Sequence, residues 1–286
     1  MPMICKGLRH IAALFVALAW ASVTLAADDC TGQSDDCVAV GRWNFSIALG
    51  AGVRTNPLAR SQVIPLILVP QFSYYGKRFF IDNLDPGFTL FDGDTNTISL
   101  VASPGYDRVF FYRSDLQNFF VGVPQTSFAT PNNTRYVPPH VNRELPPSPR
   151  KVTYLAGPEW TFKYGGVTGQ LDYLHEITER NHGDEIRAAL GIPLGQLGGS
   201  WTTNLGVTWK SAGEVNYYYG VPDVYSAGSA LNPFAKIGFS RPLSKKWKLD
   251  AFVHCERMGD SIYNSPIVGH RLVTTAFIGA TYVFHK

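Results

Sequence analysis

From residue 43 onward the chain alternates between apolar and polar positions with a period of two. Val152, Tyr154, Ala156, Pro158, Trp160, Phe162 and Tyr164 hold the even positions, with Thr153, Glu159, Thr161 and Lys163 between them. In the next segments Val167, Leu171, Tyr173 and Ile177 oppose Gln170, Asp172 and Glu176, and Ile186, Ala188, Leu190, Ile192 and Leu194 oppose Glu185 and Arg187. Trp201, Leu205, Val207 and Trp209 stand against Thr202, Asn204 and Thr208, and Ala235, Ile237 and Phe239 against Lys236 and Ser240. Trp247, Leu249, Ala251, Val253 and Cys255 stand against Lys248, Asp250, His254 and Glu256, and the chain closes on Leu272, Ala276, Ile278, Ala280, Tyr282 and Phe284. Successive side chains of a strand point to opposite faces. Each segment therefore has one apolar face and one polar face, and its charges share a single parity.

A soluble sandwich alternates in the same way. Three further features favour a membrane barrel. The segments are long, close to the roughly 9–11 residues a tilted membrane strand needs. Trp43, Trp160, Trp201, Trp209, Trp247 and Tyr282 sit near segment ends, as in interfacial aromatic girdles. The connections alternate short and long.

Strands are expected near 43–53, 61–74, 77–83, 87–91, 96–103, 151–164, 167–178, 184–194, 199–209, 232–241, 246–257 and 270–284. Tight joins at Tyr75-Gly76, Asp92-Gly93-Asp94, Gly165-Gly166, Gly195 to Gly199 and Pro242 to Lys245 alternate with 54–60, 84–86, 104–150, 179–183, 210–231 and 258–269. The expectation is an all-β fold: an antiparallel transmembrane β-barrel of twelve strands, or ten if 77–91 is not a strand pair. An even count puts both termini in the periplasm. The 104–150 stretch opens with the apolar run Val109-Phe110-Phe111-Tyr112, which either folds into the barrel mouth or extends a strand above the membrane. Residues 137–149 are too rich in Pro to be strand and read as loop.

Residues 1–26 read as a signal peptide. Lys6, Arg9 and His10 precede an apolar run from Ile11 to Trp20, and Thr24-Leu25-Ala26 offers a cleavage site. Residues 27–42 then form a periplasmic N-terminal segment and 43–286 the barrel. No window of 18 apolar residues follows the signal, which excludes a helical membrane protein. Cys30 and Cys37, separated by six polar residues, are expected to close a small disulfide loop in the oxidising periplasm, and Cys255 to be unpaired. Charged residues are 16% of the chain and the net charge is +3, with no basic stripe, so a nucleic-acid partner is excluded.

Pro70-Gln71-Phe72-Ser73-Tyr74-Tyr75-Gly76-Lys77-Arg78-Phe79-Phe80-Ile81 resembles an early motif of the MltA-interacting protein (MipA) / OmpV family. Asn216-Tyr217-Tyr218-Tyr219-Gly220-Val221, with Tyr225 and Asn232-Pro233, is similar to a later one, and Asp260 with Ser265-Pro266-Ile267-Val268 to that family's late loop. The chain departs from the aromatic C-terminus common in outer-membrane barrels, because His285-Lys286 follow Phe284. The resemblance implies an outer-membrane protein of the cell envelope. It also implies a scaffold role, in which a barrel links a murein transglycosylase to a murein synthase. The alternatives are a narrow gated pore for small solutes and, further off, a barrel-embedded lipid hydrolase.

Candidate chemistry is sparse, and no catalytic, cofactor or metal residue is assigned. His254, Asp250 and Glu256 share a strand face with Ser265 in the next loop, so a Ser–His pair is weighed against an inward-facing polar residue. The second reading is preferred, and no enzyme activity is expected. Adjacent His175 and Glu176 face opposite sides. His182 reads as a turn residue, and Asp92-Gly93-Asp94 with Asn96 as a turn rather than a calcium loop. Lys163, Asp172, Glu176, Glu185, Arg187, Lys236, Lys248, Asp250 and Glu256 would point inward. Opposite charges could pair across so narrow a barrel and close it.

Overall fold

The computed structural model describes residues 41–112 and 150–284. Twelve strands form a closed antiparallel barrel, each paired to its sequence neighbours and β1 to β12. They are β1 (Trp43–Arg54), β2 (Ile64–Tyr75), β3 (Phe79–Asp82), β4 (Asp85–Asp92), β5 (Asn96–Pro104), β6 (Tyr154–Tyr164), β7 (Val167–Glu176), β8 (Asp184–Gly195), β9 (Ser200–Lys210), β10 (Ala230–Pro242), β11 (Trp247–Arg257) and β12 (Leu272–Val283). The twelve-strand expectation holds, and its weakest pair resolves into the four-residue β3 and the longer β4.

Both ends of the barrel segment, the start of β1 and the finish of β12, lie at the end with the tight turns. The opposite end carries the long connections. Two of those connections contain helices that the strand pattern does not announce: α1 (Ala212–Tyr219) between β9 and β10, and α2 (Asp260–Tyr263) between β11 and β12. The β5–β6 connection begins with a 3-10 helix, Tyr106–Phe110. β2 starts three residues later than expected because Leu58 turns inward and bridges to Val268. The signal peptide, the Cys30–Cys37 loop and residues 137–149 lie outside the described residues. Cys255, expected to be unpaired, is disulfide-bonded.

Outward-facing positions are apolar. Leu49, Leu171, Leu190, Leu205, Ile237 and Ile278 are exposed on the barrel wall. In water that surface would drive aggregation; in lipid it costs nothing. Aromatic pairs gather at the tight-turn end: Trp43 with Tyr74 (ring centroids 5.1 Å apart), Trp160 with Phe162 (5.1 Å), Trp201 with Phe239 (4.7 Å) and Trp247 with Tyr282 (5.0 Å). Such a belt matches the headgroup level of a bilayer.

Inward-facing positions grade from open to sealed along the axis. On β7, Thr168 and Gln170 near the tight turn are exposed. Deeper on the same face Asp172 is 1% exposed, Leu174 0% and Glu176 2%. Inward residues of β8 and β9 follow the same course, ending in buried Glu185 and Lys210. The arc near the β1–β12 seam is filled by Ala48, Ile64, Leu66, Val69 and Phe277, with Phe252 against them. Among the described residues the lumen is thus a vestibule open at the tight-turn end.

If Leu205 faces lipid near mid-strand, Leu205→Arg should destabilise the refolded barrel by about 2–4 kcal/mol. The inward neighbour Thr202 should accept Arg with little loss. Urea titration followed by the heat-modified gel shift measures both, and equal costs would contradict the assigned faces.

Candidate functional site

The long-loop end of the barrel is closed by a folded plug. Its apolar layer draws on four connections. Leu58 comes from the β1–β2 loop, Val109 and Phe110 from the 3-10 helix, Val215, Tyr218 and Tyr219 from α1, and Met258, Ile262, Ile267 and Val268 from the β11–β12 loop. Both Tyr218 and Tyr219 are fully buried. The apolar run at 109–112 therefore starts by folding into the mouth rather than by extending β5.

Directed hydrogen bonds tie these loops together. Asn56 Nδ2 donates to the Phe110 carbonyl at 2.8 Å, while its Oδ1 accepts from the Leu58 N–H at 2.9 Å. Ser265 Oγ donates to the Tyr219 carbonyl at 2.6 Å, and Tyr225 OH to the Ser261 carbonyl at 2.7 Å. Asn232 accepts from the Gly259 N–H at 2.9 Å and donates to Glu256 at 3.0 Å. The Tyr218 hydroxyl meets Thr153 Oγ1 at 2.8 Å. Each bond satisfies a buried polar group that would otherwise cost about 1–3 kcal/mol.

Beneath the apolar layer lies a charged one. Lys210, at the top of β9, places its Nζ 2.6 Å from Asp107 Oδ2, 3.3 Å from Glu214 Oε1 and 3.6 Å from Glu185 Oε2. Arg187 pairs with Glu185 and donates to Ser103 Oγ at 3.1 Å. Tyr219 OH donates to Asp107 Oδ1 at 3.1 Å, joining the two layers. Three carboxyls thus face two cations. Burial, with Glu185 and Asp107 close by, raises Glu214 well above the ordinary carboxyl range despite the opposing pull of Lys210. A protonated Glu214 leaves two carboxylates facing two cations, so the direction of this shift balances the layer. Burial beside Asp107 likewise raises the Tyr219 hydroxyl, so it remains a donor.

The sequence places part of this cluster correctly. Glu185 and Arg187 do point inward and pair. Lys210, Glu214 and Asp107 were not singled out, because each lies at or beyond a strand end, where alternation carries no signal. One clue was available: Ser211 followed three residues later by Glu214 has the spacing of a helix N-terminal capping box. In the fold Ser211 Oγ accepts from the Asp184 N–H at 2.8 Å instead, so it joins α1 to β8.

Other inward charges take different roles. Among the described residues Glu176 pairs with no cation; its carboxylate accepts from the N–H groups of Thr178, Arg180, Asn181 and His182 at 2.7–3.2 Å and so shapes the β7–β8 turn. His182 occupies that turn with φ 48°. Lys248 pairs with Asp250 at 3.5 Å. His175 faces outward and meets Asp184 at 2.9 Å. The Ser–His pair is not assembled: Ser265 is buried in the plug and spent on Tyr219, whereas His254 lies in the lumen with its ring 5.5 Å from Phe234. The Asp92 stretch makes the tight β4–β5 turn, with Gly93 N–H donating to Asn96 O at 2.9 Å.

Closure, strand number, the outward apolar wall and its aromatic belt define an outer-membrane β-barrel. The chain belongs to the MltA-interacting protein MipA family, whose profile matches residues 47–284. It is 25% identical over 266 residues to the MltA-interacting protein of Escherichia coli (strain K12), covering 86% of this chain and 93% of that one. It is 23% identical to the putative outer membrane protein YiaT of the same organism, covering 84% and 91%. Among solved structures a KdgM porin aligns with 84% of this chain and 99% of its own, at 10% identity and a TM-score of 0.39. The protein resides in the cell outer membrane.

Lys210→Met leaves Asp107 and Glu185 buried with too little positive charge. It should cost about 3–5 kcal/mol in urea unfolding; a change below 1 kcal/mol would show that the cluster is not a structural unit.

The raised Glu214 carboxyl sets a pH dependence. Its folded-state value lies above its unfolded one, so the plug is most stable below the ordinary carboxyl value and weakens as pH rises towards the raised one. As pH rises above the ordinary carboxyl range, Glu214→Gln should flatten the fall in melting temperature expected of the natural chain. An unchanged slope would rule out Glu214 as its source.

Proposed function

We propose that this barrel is a sealed outer-membrane scaffold whose tight-turn end faces the periplasm and offers a docking surface to murein-remodelling enzymes. The observation that carries the sealed reading is the two-layer plug. Among the described residues it fills the long-loop end with packed side chains and an ion cluster. The partner class rests on the relatives named MltA-interacting protein, which match nearly their whole length. A murein transglycosylase is the first partner expected and a murein synthase the second. No catalysis is part of this reading.

A narrow gated pore is the competing reading. It is favoured by the polar vestibule, which reaches the charged layer from the tight-turn end. Planar-bilayer recording separates the two. The sealed scaffold should give no steady current, and Lys210→Met should raise conductance by loosening the plug. Steady channels in the natural protein would favour the pore. Capture of a murein transglycosylase by the refolded barrel tests the partner directly, and its absence from a two-enzyme binding assay would remove the scaffold role.

A further inference from the structure

A cavity of about 520 Å³, open to solvent, lies on the α1–β10 connection at the long-loop end. That is the size of a small-molecule site, roughly 300–1,000 Å³. Tyr217, Val221, Pro222, Val224 and Tyr225 make most of its wall apolar. Arg150, which ends the stretch before β6, is the cation among its lining residues.

The wall is set by hydrogen bonds within the chain. Val221 and Tyr225 exchange backbone bonds at 2.8 Å in both directions, closing a turn in which Asp223 takes φ 60°. Asn216 Oδ1 accepts from the Ala227 N–H at 2.9 Å, which pins the far end of that turn to α1. The Tyr217 hydroxyl accepts from the Lys151 N–H at 2.9 Å, and the Tyr225 hydroxyl donates to the Ser261 carbonyl at 2.7 Å. With both hydroxyls engaged, these tyrosines offer the cavity ring surface, on which a flat apolar group stacks.

Arg150 is held in place without being neutralised. Its Nη2 donates to the Gly220 carbonyl at 3.3 Å, and its guanidinium carbon lies 5.6 Å from the Tyr217 ring centroid and 5.7 Å from that of Phe111. Its Nε is buried and has no acceptor among the described residues. Burial lowers its pKa, and the groups that oppose this are Tyr217, Tyr112 and Tyr218, none of them a carboxylic acid. Asp223 also lines the cavity, but it is exposed and forms no ion pair among the described residues. A guanidinium fixed on aromatic faces is well suited to a carboxylate. The Asp223 charge weighs against a ligand with a second negative charge.

We infer that this cavity binds a small monocarboxylate carried on a flat apolar ring. The carboxylate meets Arg150 and the ring covers the wall formed by Val221, Val224 and Tyr225. A neutral ring leaves the guanidinium without a counter-charge, and an ammonium meets a like charge. The site lies at the opposite end of the barrel from the docking surface proposed above, so either reading can fail without the other.

The test titrates the refolded full chain in micelles with indole-3-acetate, against indole-3-acetamide and tryptamine, with empty micelles as the blank. The three probes share one ring and differ in charge. Isothermal titration should show the carboxylate binding at least about tenfold more tightly than either control. Added salt should weaken the carboxylate and leave the amide unchanged. Arg150→Met should remove the preference for the carboxylate, and Arg150→Gln replaces it if the Met variant fails the heat-modified gel test of folding. Val224→Trp, at a position 59% exposed, should fill the cavity and abolish binding. Asp223→Asn should bind the carboxylate at least as tightly as the natural chain. No preference among the probes, or a preference that survives loss of Arg150, would overturn the site. Binding that survives Val224→Trp would overturn its location. Binding lost in Asp223→Asn would point to a hydroxyl-donating ligand such as a saccharide and overturn the carboxylate assignment.

Discussion

Everything in this protein depends on the ladder between β1 and β12. A sheet in hydrocarbon cannot leave an edge, because each unpaired N–H or C=O there costs several kcal/mol. Nine registered residue pairs from Ser46–Val283 to Arg54–Thr275 remove the edges by joining the ends of the described barrel. Once closed, the sheet has an inside that lipid cannot reach. Only then can buried charge, aromatic packing and water coexist within a few ångströms of a bilayer.

The closed wall divides the labour between its faces. Outside, the residues need only be apolar and long enough to span, so their identities are loosely specified. Inside, they are specified by one another. Lys210 is acceptable at its depth because Asp107, Glu185 and Glu214 are there, and three carboxyls are acceptable together because burial favours the neutral form of Glu214. Removing one partner of such a set costs more than the set contributes. The plug is accordingly a cooperative unit, built from loops far apart in sequence.

The barrel was legible in the sequence because its signal is repeated. Segment after segment carries the period-two pattern, and a local ambiguity such as the short β3 is resolved by its neighbours. The plug was less legible because nothing in it repeats. Tyr218, Tyr219, Ile267 and Val268 lay in stretches that drew notice only through family resemblance, and the structure brings them into one core. Leu58 and Met258 gave no warning, since a lone apolar residue in a loop looks the same whether it is buried or exposed. Alternation put Lys236 and His254 on the inner face correctly, but a single strand cannot show which residue stands beside which.

The loops above the seam give the molecule an order of assembly. Leu58 bridges to Val268, Ala59 N–H donates to the Ile267 carbonyl and Gly269 N–H to the Pro57 carbonyl, so the β1–β2 and β11–β12 loops continue the seam past the end of the wall. These contacts join the two extremities of the barrel segment, the most sequence-distant pairing available, and their loop-closure entropy is recovered only after the strands between them are in place. This bridge is therefore the last part of the plug to form. Until the final strand docks, Leu58 and Val268 have no common surface. The bridge above the seam thus reports, in the finished fold, that the wall beneath it is closed.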